Sequence, residues 1–191
     1  MKRIVLASAS PRRKELLEQL GLRFEVEPSD YEEDVASSSE PHETAKRLSL
    51  GKARAAARKH RNALIIAADT FVVFGDSILG KPHTNSEARE MLRALNGKAH
   101  SVITGFTILD AETEKVLSRS VETRVHMKKL TLKDIDRYVR SKEPLDKAGG
   151  YAIQRLGAVL VERIEGDYFN VVGLPLGALA ESLREFGIKV L

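Results

Sequence analysis

The chain has 191 residues and a formal net charge of +4, with 42% hydrophobic and 30% charged residues. This length and balance fit one globular domain with a hydrophobic core, and they exclude a disordered chain. The absence of cysteine excludes disulfides, zinc fingers, iron–sulfur clusters and cysteine nucleophiles, and no apolar run approaches the ~20 residues of a membrane span.

Hydrophobic patterning predicts strands and helices in alternation along the chain. Residues 4–6 form a strand, followed by a helix that begins at Pro11 and ends just before Gly21, a strand over 23–27, a helix from Pro41 to about Arg61, a strand over 63–68 that ends at Asp69, and a strand and turn over 71–79. A helix ending at Gly97, strands over 99–109 and 115–129, a helix that stops before Pro144, a strand near 157–164 and a helix over 175–186 complete the chain. Alternating elements with long paired strands predict a mixed α/β sheet.

N-cap residues mark three of these helix starts. Ser10 precedes a proline at the first helical position, and Thr131 lies three residues before Asp134. Thr84 and Glu87 have the spacing of a capping box. These starts are therefore predicted from local chemistry and not only from hydrophobic periodicity.

The turn between the first strand and the first helix is a candidate phosphate site. A strand-to-helix turn presents unpaired backbone N–H groups at the positive end of the helix dipole. Ser8, Arg12 and Arg13 add a hydroxyl and two guanidinium groups that could contact phosphate. Basic residues in a first helical turn oppose the dipole, so a bound anion would compensate them. The alternative is an ordinary serine cap and a solvated first turn.

Asp69 follows the apolar run 63–68, and a carboxylate at the carboxyl end of a buried strand lies where α/β proteins bind ligands. There it could hold a divalent cation or accept a proton from water. The acidic residues 32–34, which include Glu33, could contribute a second carboxylate. The alternatives are a turn-forming aspartate and a solvated acidic loop.

Residues 75–81 match the spacing of a phosphate-binding P-loop, but we reject that motif. Pro82 stands where a P-loop has Ser or Thr, and no helix starts directly after Lys81. Lys81 could still reach a phosphate from a loop. No dinucleotide-binding glycine pattern appears, and the five histidines show no close metal-ligand spacing: His42, His60, His83, His100 and His126.

Residues 145–154 contain paired glycines followed by Gln154, whose side chain offers a donor and an acceptor to the edge of a nucleotide base. From spacing alone a glycine turn leading into a strand is the simpler interpretation. Residues 166–176 predict a turn before the final helix.

Charge is distributed unevenly, with seven acids and no base in residues 25–40 and seven bases with one acid in residues 41–62. A basic helix could lie on a nucleic-acid backbone. Its bases point in several directions around the helix, however, and only 5% of the residues are aromatic, so no stacking platform accompanies them. Nucleic acid is therefore not the expected partner, although a non-catalytic nucleotide- or nucleic-acid-binding regulator stays the alternative function.

An ordered set of motifs along nearly the whole chain resembles the Maf-like nucleotide pyrophosphatases. The set comprises SASPRR at 8–13, Glu33, Lys52, ADT at 68–70, GKP at 80–82, DKAGGYAIQ at 146–154 and NVVGLPL at 170–176. The resemblance implies one domain over residues 1–191 with two lobes around a deep cleft, similar to the inosine triphosphate pyrophosphatases. It also implies hydrolysis of a nucleoside triphosphate to the monophosphate and pyrophosphate.

The resemblance assigns roles residue by residue. Asp69 matches the proton acceptor; Glu33, Lys52 and Lys81 match polar residues of the cleft; and Ser8, Arg12 and Arg13 match the phosphate-binding turn. The branch of the family that acts on dTTP and UTP carries Arg, Thr and Gln at three sorting positions, which are Arg12, Thr70 and Gln154 here. The branch that acts on 7-methyl-GTP carries Trp, Gln and Glu instead.

The resemblance further implies a divalent cation, Mg²⁺ or Mn²⁺, for which Glu33 and Asp69 are the expected ligands. We expect these two carboxylates to position water for attack on the α-phosphorus, while the cationic side chains offset the charge of the triphosphate. A homodimer is also implied. The N-terminal residues have too few consecutive apolar side chains for a secretory signal, so we expect a cytoplasmic protein with no membrane partner.

Overall fold

The computed structural model describes residues 2–31 and 40–191. The strands are β1 (Arg3–Leu6), β2 (Glu25–Val26), β3 (Ala63–Phe74), β4 (Ser77–Leu79), β5 (Ala99–Asp110), β6 (Val116–Met127) and β7 (Val161–Glu165). The α-helices are α1 (Pro11–Gln19), α2 (Pro41–Ala57), α3 (Asn85–Leu95), α4 (Leu132–Arg140), α5 (Tyr168–Val172) and α6 (Leu176–Leu183). Short 3₁₀ segments are Glu143–Asp146, Ala148–Gly150, Arg155–Leu160 and Arg184–Phe186.

The seven strands form one mixed sheet. Its order is β2-β1-β3-β5-β6-β7, and β4 pairs with β3. Strand β1 lies parallel to β2 and β3, whereas β4 and β7 are antiparallel to their neighbours. The mixed α/β sheet predicted from the alternation of elements is therefore confirmed.

The chain divides into two compact units. The first contains the described residues up to Asp69 together with Thr104–Val121 and Gly173–Leu191. Its core includes a cluster of small and branched side chains from β1, α2, β3 and the end of β5: Val5, Ala7, Ala53, Ala56, Ala63, Ile65, Ala67 and Leu109. Alanines on α2 and β3 bring the helix close to the sheet, since they contribute little volume between the two backbones.

The second unit contains Thr70–Ile103 and Glu122–Val172. Its core is built from larger side chains of α3, α4, the adjoining strands and the segment after Gly150, among them Leu92, Leu95, Ile135, Tyr138 and Tyr151. Two of these side chains are tyrosines, so this core buries hydroxyl groups that require hydrogen-bond partners.

Helix starts follow the predicted caps, with one difference. The hydroxyl of Thr131 and the carboxylate of Asp134 form a reciprocal capping box. The hydroxyl of Thr84 caps α3 by accepting the N–H of Glu87 at 3.1 Å. The Glu87 carboxylate, however, accepts the N–H of His83 at 2.8 Å, so only half of the predicted box forms.

Several predicted strands and helices have different bounds in the structure. The strand over 23–27 shortens to Glu25–Val26, and the helix from Pro41 ends at Ala57 instead of near Arg61. Beyond Ala57, the side chain of Lys59 bonds Asp30 at 2.7 Å, and the chain turns so that Ala63 can pair with Arg3. The strands predicted over 63–68 and 71–79 are one strand, β3, followed by a turn and β4.

The C-terminal part differs from the sequence interpretation at two places. Residues 155–160 are a 3₁₀ segment and only Val161–Glu165 form a strand, because the N–H of Gly157 bonds the Glu143 carboxylate and not a neighbouring strand. The turn predicted before the final helix contains the short helix α5, which Asp167 caps through the N–H of Phe169 at 2.7 Å. None of the helices in the described ranges combines the length and apolar character of a membrane span.

Candidate active site

In the first unit, the turn after β1 is held by hydrogen bonds between the predicted phosphate-binding residues themselves. The buried hydroxyl of Ser8 accepts the N–H of Ser10 at 3.2 Å and Nη1 of Arg13 at 3.3 Å. Arg13 Nε donates to the carbonyl oxygen of Gly173 at 2.9 Å. Because two of its five donors make these contacts, Arg13 links the turn to the loop before α6 and orients Ser8.

Helix α1 begins at this turn and has the character expected of an anion site. Ser10 is its N-cap and Pro11 its first residue, while Arg12 and Arg13 occupy the rest of the first turn, which contains no acidic residue. The Ser10 hydroxyl lies 3.5 Å from the N–H of Arg13, which is a long capping bond. The positive end of the α1 dipole and two guanidinium groups thus lie in the same helical turn, where both favour a bound anion.

Lys52 and Asp69 form a largely buried ion pair in the same unit. The ammonium group of Lys52, on α2, donates to Oδ1 of Asp69, on β3, and the two side chains are only 12% and 11% exposed. A buried ion pair needs both partners, because removing one leaves an uncompensated charge in a medium of low polarity. The structure thereby brings together two predicted site residues that lie in separate motifs of the sequence.

Asp69 lies inside β3 and not at the end of a strand, which corrects the sequence interpretation. Parallel pairing between β1 and β3 ends at Leu6 and Ile66, and antiparallel pairing with β4 begins at Val72. Asp69 occupies the stretch between these two pairings. It therefore still follows the parallel-paired segment, and it lies at the edge where β1 leads into the turn at Ser8.

Close packing of α2 on β5 places Lys52. A Cβ on Gly105 would lie 2.2 Å from the carbonyl carbon and oxygen of Ala45, so the two backbones touch where β5 carries glycine. Farther along α2, the hydroxyl groups of Ser49 and Thr107 lie 2.8 Å apart in a hydrogen bond, and both residues are fully buried. These contacts hold the helix at fixed distance from the sheet.

The segment before the acidic loop also packs on α2. The ring of Tyr31 lies against Gly51, where a Cβ would be 2.3 Å from the ring. The Ser29 hydroxyl donates to the carbonyl oxygen of Lys52 at 3.3 Å. Glu33, the predicted second carboxylate, lies outside the described residues.

The other predicted site residues belong to the second unit. Thr70 directly follows Asp69 on β3 and is partly exposed, and Lys81 is exposed just after β4. Lys81 thus belongs to a loop, as predicted when the P-loop was rejected. Gln154 is partly exposed and immediately precedes the 3₁₀ segment that begins at Arg155.

The glycine-rich segment before Gln154 requires glycine at Gly149. Its φ is +70°, and a Cβ there would lie 2.9 Å from the side chain of Val72. The N–H of Gly149 donates to the carbonyl oxygen of Gly80 at 2.9 Å, which connects this segment to the residue before Lys81. The family motif therefore supports the backbone of the Lys81 loop.

Tyr151 and His100 form a buried pair behind this segment. Their hydroxyl oxygen and Nε2 lie 2.6 Å apart in a hydrogen bond, and the rings meet edge to face. Burial lowers the pKa of His100 to about 4, with a smaller contribution from His126, and burial raises the pKa of Tyr151. Both groups are therefore neutral near pH 7.

Two supporting features have roles that the sequence does not predict, although Asn170 begins the motif at 170–176. Asn170, on α5, is fully buried and donates to the carbonyl oxygen of Val102 at 3.0 Å and to the Thr123 hydroxyl at 2.9 Å. Tyr138 and Glu143 bond the backbone around Gln154. A polar amide beside an apolar run could have indicated the buried role of Asn170. Tyr138 has the helical spacing of an ordinary core aromatic residue, so no sequence pattern indicates its hydrogen bonds.

Metal coordination by the protein alone is limited in the described part of the chain. Residues 2–31 and 40–191 contain no group of three or more His, Asp or Glu side chains that could hold a metal ion. Mg²⁺ commonly takes only one or two protein carboxylates and completes its shell with substrate phosphates and water. Asp69, as a buried carboxylate, fits that type of coordination.

Several known proteins are similar to this chain along its full length. A Methanosarcina mazei protein named dTTP/UTP pyrophosphatase is 50% identical over 191 residues, covering 100% of this chain and 97% of that protein. A Methanococcoides burtonii protein of the same name is 51% identical, covering 100% of this chain and 98% of that protein. One from Desulforamulus reducens, also of that name, is 48% identical and covers 100% of both.

A solved HAM1 protein from Coxiella burnetii has the same fold. It is 19% identical, with a TM-score of 0.55, over 97% of this chain and 100% of that chain. Residues 3–186 match the family described as Maf-like protein. This match and the relatives that are about half identical along the whole chain show that the protein belongs to the Maf-like protein family.

Proposed function

We propose that this protein is a nucleoside triphosphate pyrophosphatase that hydrolyses dTTP and UTP to the monophosphate and pyrophosphate. One arrangement supports this activity: the buried ion pair of Lys52 and Asp69 lies in the same unit as the turn formed by Ser8 and Arg13. A carboxylate that can accept a proton is thereby combined with a cationic turn that can bind phosphate. Full-length relatives named dTTP/UTP pyrophosphatase support the substrate class.

In the proposed reaction, the oxygen of a water molecule attacks the α-phosphorus, and the bond to the bridging oxygen of the β-phosphate breaks. Asp69 accepts the proton of the attacking water, and pyrophosphate leaves with the bonding electron pair. Lys52 orients the Asp69 carboxylate through their hydrogen bond. The guanidinium groups of Arg12 and Arg13 and the N-terminus of α1 offset phosphate charge.

The remaining predicted residues complete the proposal. Lys81 would contact a phosphate as a point charge, and Thr70 and Gln154 would contact the nucleoside. Gln154 has an amide that can donate to and accept from the edge of a pyrimidine. The proposed substrate class also includes modified pyrimidine nucleotides.

A divalent cation, Mg²⁺ or Mn²⁺, belongs to the proposal. Asp69 would hold it, together with Glu33, and a bound cation would neutralise phosphate charge and polarise the phosphoryl group. The homodimer stays a prediction from the family resemblance, and the cytoplasmic location stays a prediction from the N-terminal residues.

The test is pyrophosphate release from a panel of dTTP, UTP, CTP, ATP and GTP by the purified protein, with Mg²⁺ and with Mn²⁺. We expect release from dTTP and UTP and little from the purine nucleotides. If no nucleotide of the panel yields pyrophosphate and the protein binds DNA in a salt-sensitive way, the result would instead support a non-catalytic regulator.

A further inference from the structure

The backbone around Gln154 is not supported by regular secondary structure. Gln154 comes between a glycine-rich turn and the 3₁₀ segment Arg155–Leu160, and no strand within residues 2–31 and 40–191 pairs with it. Arg155 adopts a φ of +52°, a left-handed conformation that is costly for a residue with a side chain. Other groups must therefore hold this segment in place.

Two side chains outside the segment supply that support. The hydroxyl of Tyr138, on α4, accepts the N–H of Ala152 at 3.0 Å and donates to the Glu143 carboxylate at 2.9 Å. The same carboxylate oxygen accepts the N–H of Gly157 at 3.0 Å. One tyrosine and one glutamate thus bond the backbone on both sides of Gln154.

These bonds close the segment into a compact loop. A Cβ on Gly157 would lie 2.1 Å from the carbonyl oxygen of Ala152 and 2.7 Å from the Tyr138 hydroxyl, so glycine allows the two ends to meet. Tyr138 is only 2% exposed, and burial raises its pKa, so its hydroxyl keeps the proton that it donates to Glu143. The loop that carries Gln154 is therefore set by a buried donor and acceptor chain.

We propose that Tyr138 and Glu143 are positioning residues for nucleobase selection, because they fix the loop from which Gln154 reads the base. This inference rests on the proposed function, in which Gln154 contacts the nucleoside. An amide discriminates between bases only when its donor and acceptor meet the correct edge, so loss of loop position reduces selectivity before it reduces chemistry. Neither residue is required to touch the substrate.

The test compares Tyr138→Phe, Glu143→Ala and Glu143→Gln with the wild-type protein. Loss of the hydroxyl or of the carboxylate should lower the ratio of kcat/KM for UTP to that for GTP by about fivefold, with kcat for UTP within about twofold. Glu143→Gln retains an acceptor oxygen and should retain most of the selectivity. Amide hydrogen exchange should accelerate at Ala152 in Tyr138→Phe and at Gly157 in Glu143→Ala.

A double-mutant cycle with Gln154→Ala separates positioning from general damage. If Tyr138 acts through Gln154, Tyr138→Phe lowers the ratio no further in the Gln154→Ala background. An equal fall in both backgrounds overturns the inference, and so does an unchanged ratio despite faster exchange at Ala152. Tyr168→Phe is the matched control, because Tyr168 is 40% exposed on α5.

Failure of the proposed function can be distinguished from failure of the positioning role. A wild-type protein that releases no pyrophosphate from any triphosphate overturns the proposed function. Calorimetric binding of UMP and GMP to the same variants then decides the positioning role. A preference for UMP that Tyr138→Phe reduces supports it, and equal binding of UMP and GMP by the wild-type protein overturns it.

Discussion

The candidate residues in the two units are held in different ways. In the first unit they bond one another directly, as Lys52 does with Asp69 and Arg13 with Ser8. In the second unit, the position of Gln154 depends on the Tyr138 hydroxyl and the Glu143 carboxylate, which accept hydrogen bonds from the backbone N–H groups of Ala152 and Gly157. The first arrangement concentrates charge and the second sets a backbone position.

The two arrangements predict different consequences of substitution. Substitution of a residue that is both a reactive group and a partner in an ion pair changes chemistry and local stability together. Substitution of a backbone-positioning residue shifts the loop but removes no reactive group, and selection between similar ligands detects such a shift first. Turnover should therefore depend most on the pair Lys52 and Asp69, and the selectivity that Gln154 supplies should depend on Tyr138 and Glu143.

The largest expected effect is on turnover in Asp69→Asn. Asparagine keeps the shape and can still accept from Lys52, but it cannot take the proton of water. The rate of pyrophosphate release should fall about a hundredfold or more, which corresponds to roughly 3 kcal/mol of transition-state stabilisation. Circular dichroism should show that the fold persists.

Asp76→Asn is the matched control, since Asp76 is exposed in the turn between β3 and β4. It should leave the rate within about twofold, because an isolated exposed carboxylate contributes little. An Asp69→Asn protein with nearly normal pyrophosphate release would remove Asp69 from the mechanism and, with it, the contrast between the two units.

Local chemistry made the beginning of the chain predictable. Ser10 and Pro11 predict the start of α1, and Gly21 predicts its end to within two residues, because the helix spans Pro11–Gln19. The capping box at Thr131 was predictable for the same reason. Mixed sheet topology also followed from the alternation of elements.

Contacts between distant residues account for what the sequence did not reveal. Lys52 and Asp69 were both named, but their pairing depends on how α2 packs on β3. Asp69 was placed at a strand end because its polarity interrupts an apolar run, whereas β3 continues to pair with β4 beyond it. Glu143 bonds Gly157 across fourteen residues of irregular chain, and no periodicity predicts such a contact.

A second prediction concerns acid stability and tests whether the buried His100 side chain of the second unit is neutral. His100 has a pKa of about 4 when folded against an ordinary value of 6.5, and Nδ1 has no hydrogen-bond partner among the described residues. Below pH 6.5 the unfolded chain binds a proton on this residue that the folded chain does not. The free energy of unfolding should therefore fall as pH decreases from 6.5 to 4, by about 3 kcal/mol in total.

His100→Gln removes this titration, so urea denaturation between pH 7 and pH 4 should show a correspondingly shallower loss of stability. His83→Gln is the control, because its side chain is exposed just before α3. Equal pH dependence in wild type and His100→Gln would mean that His100 carries charge in the folded protein, contrary to its buried position.

A third prediction tests backbone contact in the first unit. Gly105→Ala places a methyl group 2.2 Å from the backbone of Ala45, so α2 and β5 must separate. We expect a loss of about 2 kcal/mol in the free energy of unfolding, measured by urea denaturation. Gly177→Ala, where a Cβ meets open space on α6, should be neutral or stabilising by about 0.5 kcal/mol. Equal stability of the two variants would show that α2 adjusts freely, and the placement of Lys52 would then need another explanation.

The last prediction compares the N-caps of one helix in each unit, where the expected changes in stability are the smallest. Thr131 caps α4 through a reciprocal box with Asp134, so Thr131→Ala should lower stability by about 1 kcal/mol and leave KM unchanged. The capping bond of Ser10 is longer, at 3.5 Å, so Ser10→Ala should cost only about 0.5 kcal/mol. Its effect should instead appear in KM for UTP, since α1 begins at the proposed phosphate-binding turn. If Ser10→Ala lowered stability as much as Thr131→Ala and left KM unchanged, the turn would be a structural cap alone, and phosphate binding would have to rest on the side chains of Arg12 and Arg13.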